Sequence, residues 1–94
     1  MDDKQLDRSL RSIGKECFVK YFKQFSDTSI KDYQLIDILI KNEGYTETGC
    51  RTRVSQSRRI IREGRAKDAL KGMLASERLS ESVQQEAADL FKSI

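Results

Sequence analysis

The chain reads as an all-α domain, a compact bundle of about five helices containing a helix-turn-helix and no β wing. Three observations predict the helical class. The 94 residues contain no proline, so nothing forbids long, uninterrupted helices. No segment alternates apolar and polar residues at period 2, the pattern of a half-buried strand. The apolar residues instead recur at spacings of three and four, which places them on one face of a helix. A chain of this length suits a single domain, residues 1–94.

The first helix is expected near 4–25. Leu6, Leu10, Ile13, Cys17, Phe18, Tyr21, Phe22 and Phe25 form its apolar stripe, and Gly14 is able to bend or divide it. The same spacing assigns Phe18, Tyr21, Phe22, Phe25 and Tyr33 to the core rather than to stacking on single-stranded bases. The second helix is expected near 30–43, with Ser29 as N-cap and Asp32 three residues on. Tyr33, Leu35, Ile36, Ile38, Leu39 and Ile40 make it apolar on most of its circumference, which predicts the central, most buried helix. Asn42-Glu43-Gly44 stops it, Gly44 suiting the left-handed position after a helix.

Thr46 or Thr48 then caps a third helix near 47–63, with Gly64 as its stop or kink. The fourth is expected near 65–75, turning Ala66, Ala69, Leu70, Met73 and Leu74 inward. The fifth is expected near 81–93, opened by Ser80 or Ser82, with Val83, Ala87, Leu90 and Phe91 inward. Its outer face holds Glu81, Gln85, Glu86 and Asp89 and is acidic or neutral.

Charge is unevenly distributed along the chain. The net charge is +3, but residues 1–44 balance to zero, residues 45–74 carry +5 and residues 75–94 carry −2. The middle segment is therefore the electrostatic footprint for a polyanionic partner. Between Arg51 and Arg62 there are five arginines and no acidic residue. Unpartnered like charges on one helix repel, so the pattern favours an external anion.

Several function classes fit poorly. The chain has no histidine and only two cysteines, Cys17 and Cys50, so a zinc site lacks ligands and no metal or other cofactor is expected. No glycine-rich phosphate loop is present, and the commonest general base is absent, so no catalytic residues are expected and the protein is not expected to be an enzyme. Cys50 near a helix N-terminus beside Arg51 would have a depressed pKa, but its apolar face argues for a buried, inert thiol. No apolar run approaches the ~20 residues of a membrane span. Met-Asp-Asp-Lys has none of the apolar core of a signal peptide, so cytoplasmic residence is the expectation.

On a helical wheel the third helix separates its residues sharply. Cys50, Val54, Ser57 and Ile61 fall within about 60° of one another and form the inner stripe. Thr52, Ser55, Gln56 and Arg59 lie opposite, with Arg51, Arg58 and Arg62 on one flank and Arg53 beside Ile60 on the other. The outer residue types are those that read bases in a major groove. Arginine pairs with guanine, glutamine with adenine, and serine or threonine with either. Thr52, Ser55, Gln56 and Arg59 are thus the candidate base-facing residues. Arg51, Arg53, Arg58, Arg62, Arg65 and Lys67 are the candidate phosphate contacts.

Leu39 and Ile40, then Gly44-Tyr45, then Cys50 and Val54 make an arrangement that resembles the helix-turn-helix superfamily over residues 33–62. The resemblance implies that 47–62 is a recognition helix supported by 30–43. Glu43 stands where an apolar residue is common, and Val54 falls one position later than the usual spacing. The resemblance implies duplex DNA as partner, bound commonly by a homodimer, in a regulator of transcription. Two other partners fit the basic helix as well: RNA, or the acidic surface of a protein for which this chain is an adaptor or inhibitor.

Overall fold

A computed structural model describes every residue of the chain except Glu77. The described residues form seven helices and no strand: α1 (Asp3–Ile13), α2 (Lys15–Lys20), α3 (Phe22–Ser26), α4 (Asp32–Glu43), α5 (Glu47–Arg62), α6 (Ala66–Leu74) and α7 (Glu81–Ser93). The all-α class stands, with more helices than the five expected. None of the described helices is long and apolar enough to cross a membrane.

The extra helices come from the expected 4–25 helix, which is three. Asp2 opens α1 with a capping box, its carboxylate accepting the Gln5 N–H at 2.8 Å while Gln5 Oε1 accepts the Asp2 N–H at 3.2 Å. Gly14, at φ 87°, then leaves helical space. The chain re-enters as α2 and bends again at Tyr21, at φ −108°, into α3. The two bends wrap one continuous apolar stripe around a centre. Phe18 sits there fully buried, edge-on to Phe22 at 5.5 Å and stacked with Phe25 at 6.5 Å.

The start of α4 differs from the expected cap. Ser29 instead turns back on Asp27, donating from its hydroxyl at 2.5 Å and its amide at 2.9 Å. Asp27 is held below the usual carboxylate range by these Ser29 bonds. Lys31 takes the cap position, its N–H donated to Gln34 Oε1 at 2.8 Å. Only Leu35 and Leu39 of α4 are buried, and Tyr33 is 71% exposed. So α4 is not the central helix, and Tyr33 is not a core residue. Its remaining isoleucines are half-buried or, at Ile40, exposed, lying beside rather than within the core.

The centre is α5, packed against α1 on one side, α3 and α4 on the other, and α6 at its end. Thr46 caps it by accepting the Gly49 N–H at 3.1 Å. Cys50, Val54, Ser57 and Ile60 are buried, with Ile61 only half-buried, so Ile60 takes the last inner position expected of Ile61. Gly64 ends the helix at φ 74°, with its N–H bonded to the Ile61 carbonyl and that of Arg65 to the Ile60 carbonyl. This double bond pattern at a left-handed glycine is a Schellman stop. Helices α6 and α7 then form a hairpin that returns onto α2. Ala69, Leu70, Met73, Ala87 and Leu90 are its buried residues, while Leu74, expected inward, is exposed.

Two substitutions on the inner stripe of α5 are expected to act in opposite directions. Ile60→Ala removes a fully buried side chain and should cost about 2–5 kcal/mol. Ser57 is fully buried with a hydroxyl that finds no partner among the described residues, so Ser57→Ala should be neutral or raise stability by up to about 1 kcal/mol. Urea unfolding of both variants checks the pair.

Candidate nucleic-acid interface

With its inner stripe committed to the core, α5 turns Thr48, Arg51, Thr52, Ser55, Arg59 and Arg62 to solvent. These six occupy a single outer arc of the wheel and run about 20 Å along the axis. Carboxylates pair with the strip's own arginines at its two ends, and Asp32, held by Arg58, lies beside its middle in clefts shared with Arg51, Ser55 and Arg62. Glu47 accepts from Arg51 at 2.8 Å, and Glu63 accepts from Arg59 at 2.6 Å. The arginines of this segment are therefore not without acidic partners, as the sequence suggested: residues just outside the Arg51–Arg62 run supply them. Both pairs are exposed, with 67% of the Arg51 side chain and 45% of the Arg59 side chain open to solvent, so each is weak and exchangeable. Arg62 has no carboxylate partner among the described residues.

Gln56, the fourth residue expected to face bases, turns toward α1 and accepts the Ser9 hydroxyl at 2.8 Å. Thr48 was not among the expected residues and joins the strip. Its one-turn spacing from Thr52 was the signal for it. Alongside lies a cleft of about 650 Å³ between α5 and the first turn of α4, lined by Lys31, Tyr33, Ile36, Arg51 and Ser55 among others. Tyr33 and Lys31 were also not expected there. An apolar circumference on α4 meant that some of its apolar side chains had to face out.

Three of the six expected phosphate contacts are elsewhere engaged. Arg58 leaves only 18% of its side chain exposed. It donates to the carbonyls of Phe25 at 3.2 Å, Gln24 at 3.4 Å, Asp27 at 3.0 Å and Ile30 at 2.6 Å, and to Asp32 Oδ1 at 2.5 Å. One guanidinium thus gathers the carbonyls where α3 ends and the chain turns into α4, those of Gln24 and Asp27 also accepting a backbone N–H. Arg65 binds the Met1 carbonyl, Asp3 at 2.6 Å and Asp68 at 2.8 Å, tying the start of α1 to α6. Arg53 is half-buried, its guanidinium 3.9 Å from the Tyr45 ring centre. Lys67 is exposed on α6, with its ammonium 5.3 Å from the Phe91 ring centre.

The thiols are buried and free. Burial pushes Cys17 up to about 11, against the opposing pull of Arg53. Burial also raises Cys50, with Arg53 again opposing it. The depressed pKa that its place near the helix start suggested for Cys50 is therefore overturned: loss of water outweighs neighbouring positive charge. Among the described residues no group of three His, Cys, Asp or Glu side chains gathers in a way that could hold a metal ion.

Comparison with known proteins returns no match: no family model, no curated protein and no solved structure is similar to this chain.

Arg58→Ala should cost about 1.5–3 kcal/mol in urea unfolding, because it removes a charged donor from the Phe25 and Ile30 carbonyls and from Asp32. Arg62→Ala, which removes an exposed side chain, should stay within about 0.5 kcal/mol. Stability is also expected to fall as pH rises. The unfolded chain releases the Cys17 proton near 9.0 and the folded chain only near 11, so alkali favours the unfolded state across that window. Chemical denaturation at pH 8 and pH 10.5, with Cys17→Ala showing a smaller difference than the parent, checks this.

Proposed function

We propose that the protein binds duplex nucleic acid, DNA in preference to RNA, by laying the outer strip of α5 in a major groove. The observation that carries this reading is the strip itself: six exposed polar or cationic residues in one row, none acidic, with Asp32 beside its middle already bound to Arg58. A helix of this width fits the B-form major groove. Thr52, Ser55 and Arg59 then meet base edges, and Thr48 extends that row. Arg51, Arg62 and Lys67 take phosphate oxygens. Duplex phosphates compete with Glu47 and Glu63 for Arg51 and Arg59, and such exposed pairs are cheap to exchange. Gln56 joins the base-facing set only by releasing Ser9.

In this reading α4, the turn and α5 act as a helix-turn-helix. Its support is a three-residue connection, Gly44 to Thr46, with Gly44 left-handed at φ 70° and ψ 18°. The role that follows is a small regulator of transcription. A second reading, an acidic protein partner, draws on one observation, the exposed Tyr33 ring in the cleft beside Arg51.

Salt dependence separates the two. Fluorescence anisotropy with mixed-sequence duplex DNA, single-stranded DNA and duplex RNA is expected to show tightest binding to duplex DNA. The log–log salt slope should be about −3 for three phosphate contacts. Arg62→Ala should reduce its magnitude by about one unit on every sequence, while Arg59→Ala should flatten the preference among sequences. Absence of duplex binding even at low salt sinks this reading and leaves the protein partner.

A further inference from the structure

Arg53 faces roughly 140° round the helix from the middle of the outer strip, on the flank turned toward α2. It differs from the arginines that serve as clamps. No carboxylate among the described residues pairs with it, and its Nε is buried without an acceptor. The guanidinium is nonetheless held in one place. Its Cζ sits over Tyr45, 3.9 Å from the ring centre. One turn earlier, a Cβ on Gly49 would stand 2.8 Å from Arg53 Nη1 and 3.0 Å from Thr46 Oγ1. A glycine inside a helix weakens it. Here it clears the space that the folded-back guanidinium occupies.

Arg53 and Tyr45 form one wall of a cavity of about 840 Å³. The opposite walls come from the α1–α2 junction and from the connection between α6 and α7. Its size is that of a pocket for a nucleotide-sized ligand. Four cations line it, Arg11, Lys15, Arg53 and Arg78, against Asp7 and Glu16, and Asp7 is already taken by Arg11 at 3.0 Å. Among the described lining residues this leaves an excess of two positive charges. A phosphate monoester carries nearly that charge, negative, at neutral pH and offers three strong acceptor oxygens. An arginine fork without a protein anion is the group that recognises such oxygens two at a time.

We propose that this cavity binds a phosphate-bearing small molecule, with Arg53 as its anchor and Lys15 and Arg78 as flanking contacts. The site is separate from the outer strip of α5 and does not rest on the nucleic-acid reading.

The test is a titration of the isotope-labelled protein with inorganic phosphate, adenosine monophosphate and citrate at constant ionic strength, followed by backbone amide shifts. Saturable shifts are expected at Gly14, Lys15, Arg53 and Arg78 with both phosphate probes. Arg53→Gln and Gly49→Ala are each expected to weaken adenosine monophosphate binding at least tenfold, with Lys23→Ala unchanged. If Arg53→Gln does not fold, Arg78→Ala on the connecting segment is expected to weaken binding severalfold. No saturable shift with either phosphate probe overturns the proposal. So do shifts scattered over lysines outside the cavity, unchanged affinity in the folded Arg53→Gln or Arg78→Ala protein, and citrate binding tighter than both phosphates.

Discussion

Burial of Cys50, Val54, Ser57 and Ile60 between α1 and the α3–α4 pair sets the rotation of α5, and most other features follow from that rotation. A helix with four buried positions over three turns cannot turn about its own axis without exposing one of them. Its outer arc is therefore fixed once the inner arc is packed. Thr48, Thr52 and Ser55 face out for this reason. Arg58 and Gln56 fall on the two flanks, where neighbouring helices capture them. The ends are fixed as firmly, by Thr46 at the start and the Gly64 stop.

The same rotation divides the arginines into different physical kinds. Arg58 and Arg65 are structural cross-links, holding carbonyls and carboxylates of segments distant in the chain. Their value lies in satisfying groups that the protein itself presents, so an external anion would have to displace them at a cost. Arg51, Arg59 and Arg62 are long, solvated and weakly held or unpaired, so releasing them to an external anion would cost little. A count of positive charge along residues 45–74 adds the two kinds together, and so overstates the charge available to a partner.

Sequence reasoning reached the class of the fold and most of the α5 face because both depend on local periodicity. Cys50, Val54 and Ser57 are inner residues by spacing alone, and Gly44, Thr46, Gly64 and Ser80 stand at the ends that their chemistry suits. Other features depend on what a segment meets in space. Gly14 was a visible weak point, but its bend to φ 87° serves to bring Phe18 onto Phe22 and Phe25 and α2 onto α7. The apolar run of α4 suggested a buried centre, yet four neighbours chose α5, and Tyr33 was left in water. Arg58 carries no local sign of its role, since its partners lie 26 to 34 positions earlier. Ser29 showed a capping pattern that Asp27, two residues away, captured first.

The nucleic-acid reading rests on a division among the arginines: Arg51, Arg59 and Arg62 of the outer strip meet the duplex, while Arg58 and Arg65 stay bound within the protein. The arginine Nε–Hε resonances report each guanidinium separately and test it most directly. On addition of duplex DNA at low salt, those of Arg51, Arg59 and Arg62 should shift or broaden, while those of Arg58 and Arg65 stay in place. Shifts at Arg58 and Arg65 with Arg51, Arg59 and Arg62 unmoved, or no change at any of the five, would contradict it.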